Sequence, residues 1–243
     1  MKILAIDTSS KVFCLGVCTA AAQYEYALEA STRLSRLLVP TLDRVFKALA
    51  LTPQDIDCFA CGMGPGSFTG VRVGMAAAKA MAWSTGKPLA GVVSLDVLAR
   101  AVEIDEGFIV PAIDAKRGLL YSCVYQRRNK RLRRLTPYLL SGCADLVLTI
   151  KRTVKVRGLA QTWMLGDGLT QHRETLCRAM PSLQIADKDY WQLSPKHLLD
   201  RARELIQERA ASDAFRLRPL YLYPKECQIR QAHTPLWPTR RKK

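Results

Sequence analysis

The sequence predicts an α/β fold built from two related lobes, the second abbreviated, and three observations carry that prediction. Residues 1–100 alternate between strand-like runs and helical periodicity in the order βββαβαβα. The string Ile3-Leu-Ala-Ile-Asp7 returns 107 residues later as Val110-Pro-Ala-Ile-Asp114. Cys61-Gly-Met-Gly64 returns 104 residues later as Leu165-Gly-Asp-Gly168, and two echoes in the same order at nearly equal offsets point to a duplicated unit.

Lys2–Thr8, Val12–Thr19 and Gln23–Glu29 read as a three-stranded meander, rich in β-branched and apolar residues and separated by short turns. Leu34–Leu51 switches to helical spacing, with Leu34, Leu37, Leu38, Leu42, Val45, Phe46 and Leu49 on one face. A strand over 58–63 ends at Gly62, Gly64, Pro65 and Gly66, where no regular element continues. A helix follows over 68–85, capped by Ser67 or Thr69. A strand over 88–93 and a helix opened by Ser94 and Asp96 complete the first unit. The second unit places strands at Leu119–Gln126 and Arg131–Leu140 and helices near 143–151, 169–179 and 194–211, the last opening on Ser194-Pro195. Beyond Ala214 the prolines Pro219, Pro224, Pro235 and Pro238 break helices, leaving a short extended piece at Leu220–Tyr223 and little room for the later helices of the repeat. The predicted division is 1–105 for the first lobe, 106–226 for the second and 227–243 for a mobile basic tail.

Within the helix at 68–85, Gly70, Gly74, Ala78 and Ala82 recur every fourth residue and form a stripe almost free of side chains. Three uses remain open: a phosphate cradle at the helix N-terminus, close packing on the chain's own sheet, or a helix contact with another chain. The glycine turn lacks the Lys-Ser/Thr and the GxGxxG spacing of known phosphate loops.

Composition bounds the function classes. The chain has 243 residues, 49% of them hydrophobic and 24% charged, as in a globular protein, and no run of about 18 apolar residues that would span a membrane. Met1–Asp7 reads as a strand rather than a signal peptide, because an Asp interrupts the apolar run. The eight cysteines therefore read as reduced thiols in a cytoplasm. Cys58 and Cys61 lie in an apolar strand with no second CxxC, which makes them core residues rather than zinc ligands. His172, His197 and His233 form no helical pair, so no metal site is expected.

The net charge of +16 is lopsided: +3 over residues 1–100 and +13 over the remainder. Arg127, Arg128, Lys130, Arg131, Arg133 and Arg134 crowd one segment. They read either as a contact for a polyanion such as tRNA or as a solvated edge hairpin whose charges discourage strand-to-strand aggregation.

The strings Gly64-Pro-Gly-Ser-Phe-Thr-Gly-Val-Arg-Val-Gly74, Ala112-Ile-Asp-Ala-Lys-Arg-Gly118 and Pro219-Leu-Tyr-Leu-Tyr-Pro-Lys-Glu226, with the two Ala-Ile-Asp turns, resemble landmarks of the TsaB (YeaZ) family across most of residues 1–226. The resemblance implies a duplicated actin-like fold of the ASKHA, ribonuclease H-like kind. It also implies membership of the bacterial complex that forms N6-threonylcarbamoyladenosine beside the anticodon of tRNA. In that complex the catalytic paralogue TsaD holds the metal and transfers the group, TsaE is an ATPase partner, and TsaB is a non-catalytic dimerisation subunit. The resemblance implies no cofactor on this chain alone, with ATP or ADP reserved for the assembled complex, and leaves a homodimer open when the chain is alone.

The catalytic paralogue needs a HxxxH pair, whereas the helix here begins Arg33-Leu-Ser-Arg-Leu-Leu-Val-Pro-Thr-Leu-Asp43 without histidine. The expected partner face comprises Leu34, Leu38 and Leu42 with Val71, Gly74, Met75, Ala78 and Lys79. Two rival classes stand beside this reading. One is a self-sufficient phosphotransferase or metallopeptidase-like enzyme using Asp7, Asp114 and Asp167; the other is a simple tRNA-binding protein.

Overall fold

The computed structural model describes residues 1–29, 34–155, 161–208, 210–211 and 214–223. The basic tail expected at 227–243 lies outside the described residues. The first lobe holds β1 (Ile3–Asp7), β2 (Val12–Cys18), β3 (Gln23–Glu29), α1 (Leu34–Ala48), β4 (Cys58–Gly62), α2 (Phe68–Thr85), β5 (Leu89–Val92) and α3 (Ser94–Ala99). The second holds β6 (Glu106–Asp114), β7 (Leu119–Ser122), β8 (Tyr125–Arg128), β9 (Arg131–Arg134), β10 (Leu139–Gly142), α4 (Cys143–Lys155), β11 (Thr162–Leu165), α5 (Leu169–Ala179), β12 (Leu183–Ile185) and α6 (Pro195–Gln207).

The first sheet runs β3-β2-β1-β4-β5, with the meander antiparallel and β4 and β5 parallel to β1. The second repeats that order as β10-β7-β6-β11-β12. Every element of the first lobe thus has a counterpart, and the later helices, for which the sequence leaves little room, are present. The helix lengths differ in both directions, α5 having 11 residues against 18 in α2 and α6 having 13 against 6 in α3. The strands expected at 119–126 and 131–140 are each split in two. β6 is long enough to pair β7 through Ala112–Asp114 and β8 through Glu106–Ile109. Between those pairings the Thr136 hydroxyl takes the Val124 N–H, and Leu135 N donates to Val124 O.

Alternation along the strands builds three cores. Leu4, Ile6, Phe13, Leu15 and Val17 point outward onto α1 and α2. Phe108, Val110 and Ala112 point outward onto α4 and α5. Ile3, Ala5, Cys14 and Ile109 point inward, where α3 and α6 fill the space between the sheets. A methyl group on Gly16 would collide with Leu199 of α6, so the glycine sets how close that helix sits to β2. Asp96 of α3 ties the lobes: it accepts from Tyr125 (2.6 Å) and Tyr138 (2.9 Å) and faces Arg201 of α6 at 3.6 Å. Burial, then the Asp96 charge, drives the Tyr125 hydroxyl well above its ordinary pKa. Cys58 and Cys61 are buried core residues as expected, and burial pushes their thiols up to about 11 and about 12.

Candidate functional site

The glycine turn after β4 closes on the turn after β1. Ser67, not Thr69, caps α2 by accepting from Gly70 N at 3.2 Å, while Ser67 N donates to Ser9 O at 2.7 Å. Thr8 Oγ1 donates to Gly70 O at 2.7 Å. Methyl groups built on Gly62, Gly70 and Gly74 would collide with the Asp7 carboxylate, Thr8 O and Thr8 Oγ1 respectively. The small stripe is therefore an internal seat for the Asp7–Ser9 turn, which decides among the three uses left open by the sequence.

Asp7 ends at the bottom of this seat, 1% exposed. Its carboxylate accepts from Ser9 N (2.7 Å) and Ser94 Oγ (2.8 Å), and Ser94 Oγ also meets Ser9 Oγ at 2.9 Å. Burial pushes the Asp7 carboxyl up, against the opposing pull of the Ser9 and Ser94 bonds. Ser94 opens α3 as expected, as its first helical residue after Val93, and its hydroxyl serves Asp7. The sequence gives no sign of this network because its members are 85 and 87 residues apart.

The second lobe builds a related joint. Asp114 N donates to Asp167 Oδ1 at 3.0 Å, and Gly168 N to Ala112 O at 3.0 Å. Lys116 binds the Asp114 carboxylate through its backbone N (2.8 Å) and Nζ (2.5 Å), within a left-handed run over Lys116, Arg117 and Gly118. Burial alone would raise the Asp114 carboxyl, but the bonds and charge of Lys116 outweigh it and hold the group below its usual range.

The expected partner face needs correction. Leu34, Leu38, Leu42, Val71, Gly74, Met75 and Ala78 are buried against the first sheet, and only Lys79 is half-exposed. The apolar periodicity that singles them out is the signature of the chain's own core. What α1 and α2 leave at the surface is a different set: Leu37, Val45, Val73, Ala77 and Met81 at the core's edge, with Val39 66% exposed. Exposed Phe68 (56%) and Trp83 (68%) flank the far side of α2.

The six basic residues are brought together on one hairpin but not on one face. Pairing of Tyr125 with Arg134 and of Arg127 with Leu132 puts Arg127 and Arg134 on the side turned to α3 and α6. There Arg127 donates to Arg100 O, and Arg134 lies 4.3 Å from the Tyr138 ring centroid. Arg128, Arg131 and Arg133 occupy the outer side, with Arg128 3.3 Å from Glu106, and Asn129-Lys130 forms the left-handed turn. Arg127 also lines a cavity of about 410 Å³ between α3, β8 and α6 with Arg100, His197, Asp200, Arg203 and Glu204. Many of its charges are paired within the chain, Arg100 with Glu204 and Arg203 with Asp200.

Among the described residues no group of His, Cys, Asp and Glu is arranged to hold a metal ion, and no helix is long and apolar enough to cross a membrane. Fold and site define a duplicated α/β protein whose two strand-end carboxylates are held by its own backbone and side chains. A model of the family described as tRNA N6-adenosine threonylcarbamoyltransferase (TsaD) matches residues 28–213. The chain belongs to that family, and TsaB proteins are among its curated relatives. The Bacillus subtilis tRNA threonylcarbamoyladenosine biosynthesis protein TsaB is 36% identical over 142 residues, 56% of this chain and 60% of that protein. The Escherichia coli protein of the same description is 33% identical over 134 residues, 52% of this chain and 56% of the relative. The match thus spans little more than half the length of these relatives. The solved structure of YeaZ from Pseudomonas aeruginosa shares the fold, with a TM-score of 0.75 over 91% of this chain and 99% of that one at 20% identity.

Proposed function

We propose that the chain is a cytoplasmic, non-catalytic subunit in N6-threonylcarbamoyladenosine formation on tRNA, pairing with a TsaD-like catalytic paralogue and working with a TsaE-like ATPase. The observation that carries the reading is the state of Asp7 and Asp114. A stand-alone phosphotransferase or hydrolase of this fold would need one of them free to meet a metal or act as a base. Here Asp7 is buried beneath Ser9 and Ser94, and Asp114 is bonded by Lys116. Helix α1 carries no histidine pair, and the names of the B. subtilis and E. coli relatives support the pathway. Nucleotide would be held by the assembled complex rather than by this chain.

The partner would dock on the surface strip of α1 and α2, with Val73, Ala77 and Met81 at its centre and the charged rim of Arg36, Asp43 and Arg44 around it. The test is reconstitution with the paralogue, the ATPase, threonylcarbamoyl-adenylate and tRNA. Product should form at full rate only with the chain present, and the chain alone should neither hydrolyse ATP nor modify tRNA. Partner-free turnover above a mock preparation, or full-rate modification without the chain, overturns the proposal.

A further inference from the structure

Resting on the reading above, we propose that Phe68, Arg72, Tyr221 and Tyr223, with the small cavity beside them, form a stacking site for unpaired nucleotides of RNA. The segment Ala214–Tyr223 runs alongside α2 in the opposite direction. Phe215 meets Trp83 edge-on near the helix C-terminus, with ring centroids 6.2 Å apart. Leu220 N donates to Met63 O at 2.9 Å, and Tyr221 stands over Phe68 at the helix N-terminus, 5.4 Å between centroids. Arg72 locks this end: its guanidinium lies 3.6 Å from the Phe68 centroid while its Nε donates to Tyr221 Oη at 2.7 Å. Such an arrangement fixes aromatic and guanidinium planes at the surface, where Phe68 is 56% and Tyr223 61% exposed.

Charge identifies the ligand. Neither Phe68–Thr85 nor Ala214–Tyr223 contains an Asp or Glu, while Arg72, Lys79, Arg216 and Arg218 supply only positive charge. Aromatic planes set in a uniformly cationic surface are the combination that holds single-stranded nucleic acid, bases stacking on rings and guanidinium planes while the phosphates meet the cations. The apolar strip of Val73, Ala77 and Met81 on another side of α2, without these cations, suits a protein partner better. The cavity beside the stack, about 160 Å³, is walled by Met63, Pro65, Val71, Leu220 and Leu222 with Tyr121 from the second lobe. It is smaller than most small-molecule sites, which fits one inserted ring rather than a whole cofactor.

The test measures fluorescence anisotropy of the full chain, alone and with its paralogue, against an unpaired RNA dodecamer and a duplex of equal length. Thermal melting checks each variant, and partner binding and tRNA modification are followed in parallel. Phe68→Ala and Tyr223→Ala should each weaken the unpaired RNA about five- to hundredfold with the melt unchanged, and should affect the duplex little. Arg72→Gln should also flatten the salt dependence by about one unit of slope. Undetectable binding of unpaired RNA, or unchanged affinity in all three variants, overturns the stacking site even where modification still requires the chain. Loss of partner binding with RNA affinity retained overturns it in favour of a protein interface. Failure of modification to require the chain strikes the functional reading instead, and is read separately.

Discussion

Thr8 Oγ1 occupies the space in which a Gly74 side chain would begin, while donating its own hydrogen bond to Gly70 O. Thr8 therefore explains two members of the small-residue stripe, Gly74 through its hydroxyl and Gly70 through its backbone oxygen. It fixes α2 against the turn after β1, and so fixes the exposed faces of α2.

Gly74→Ala should destabilise the chain by about 1–3 kcal/mol, the usual result of forcing a methyl group into a packed seat. Thr8→Ala removes the obstructing atoms at the loss of one hydrogen bond, itself about 1 kcal/mol. The double variant should be more stable than the two single losses predict, because the residues touch. Urea denaturation of the four proteins measures the coupling, and strict additivity would show that the obstruction is relieved elsewhere.

Asp7 gives a pH signature with a definite sign. Its carboxyl is raised in the folded protein, chiefly by burial, so between its ordinary value of 3.8 and the raised one the folded state binds more proton than the unfolded. The contribution of Asp7 to stability therefore falls as pH rises through that window and stays unfavourable above it. Asp7→Asn preserves an acceptor for Ser9 N and offers Ser94 a donor, so the variant should gain on the wild type as pH rises through the window. Paired denaturation curves across the acid range read the difference, and a gap that widens toward low pH instead would contradict it.

The basic hairpin separates into two classes by face. Replacing Arg128, Lys130, Arg131 and Arg133 with Gln should lower the affinity of the assembled complex for tRNA and reduce its salt slope by about one unit for each phosphate no longer neutralised, with little change in melting. Replacing Arg127, whose guanidinium donates to Arg100 O at the α3 side, should act on stability first. Equal effects of both sets on tRNA would mean that the alternation of the strand does not order the contact.

Much of the architecture is legible in the sequence because it rests on local rules. The echo of Asp7 in Asp114 marks the two central strands, and the capping Ser67 and the N-terminal Pro195 mark two helix starts. The site is less legible for physical reasons. The Asp7–Ser94 bond and the docking of Tyr221 on Arg72 join residues 87 and 149 positions apart, and periodicity carries no information at that range. The hairpin charges read as one cluster because sequence proximity ignores the alternation that sends Arg127 and Arg128 to opposite sides. The same spacing that announces an interface announces a core, which is why Leu34, Leu38, Leu42 and Ala78 face the sheet rather than a partner.

That last distinction gives a decisive comparison. Ala78 is fully buried between α2 and the first sheet, so Ala78→Leu should act on folding, by about 1–3 kcal/mol and several degrees of melting temperature. Met81 and Ala77 lie at the rim of the same core, where a charged side chain can turn to water in the isolated chain. Ala77→Glu or Met81→Glu should therefore melt near the wild-type temperature yet weaken pairing with the paralogue about tenfold or more, because the carboxylate would be stripped of water in the joined surface. Calorimetric melting and titration with the paralogue separate the two effects. If Met81→Glu and Ala77→Glu both pair at full strength, the strip between α1 and α2 is not the contact. If Ala78→Leu keeps its stability and loses only the partner, the small stripe faces outward after all, and its seating on Thr8 is mistaken.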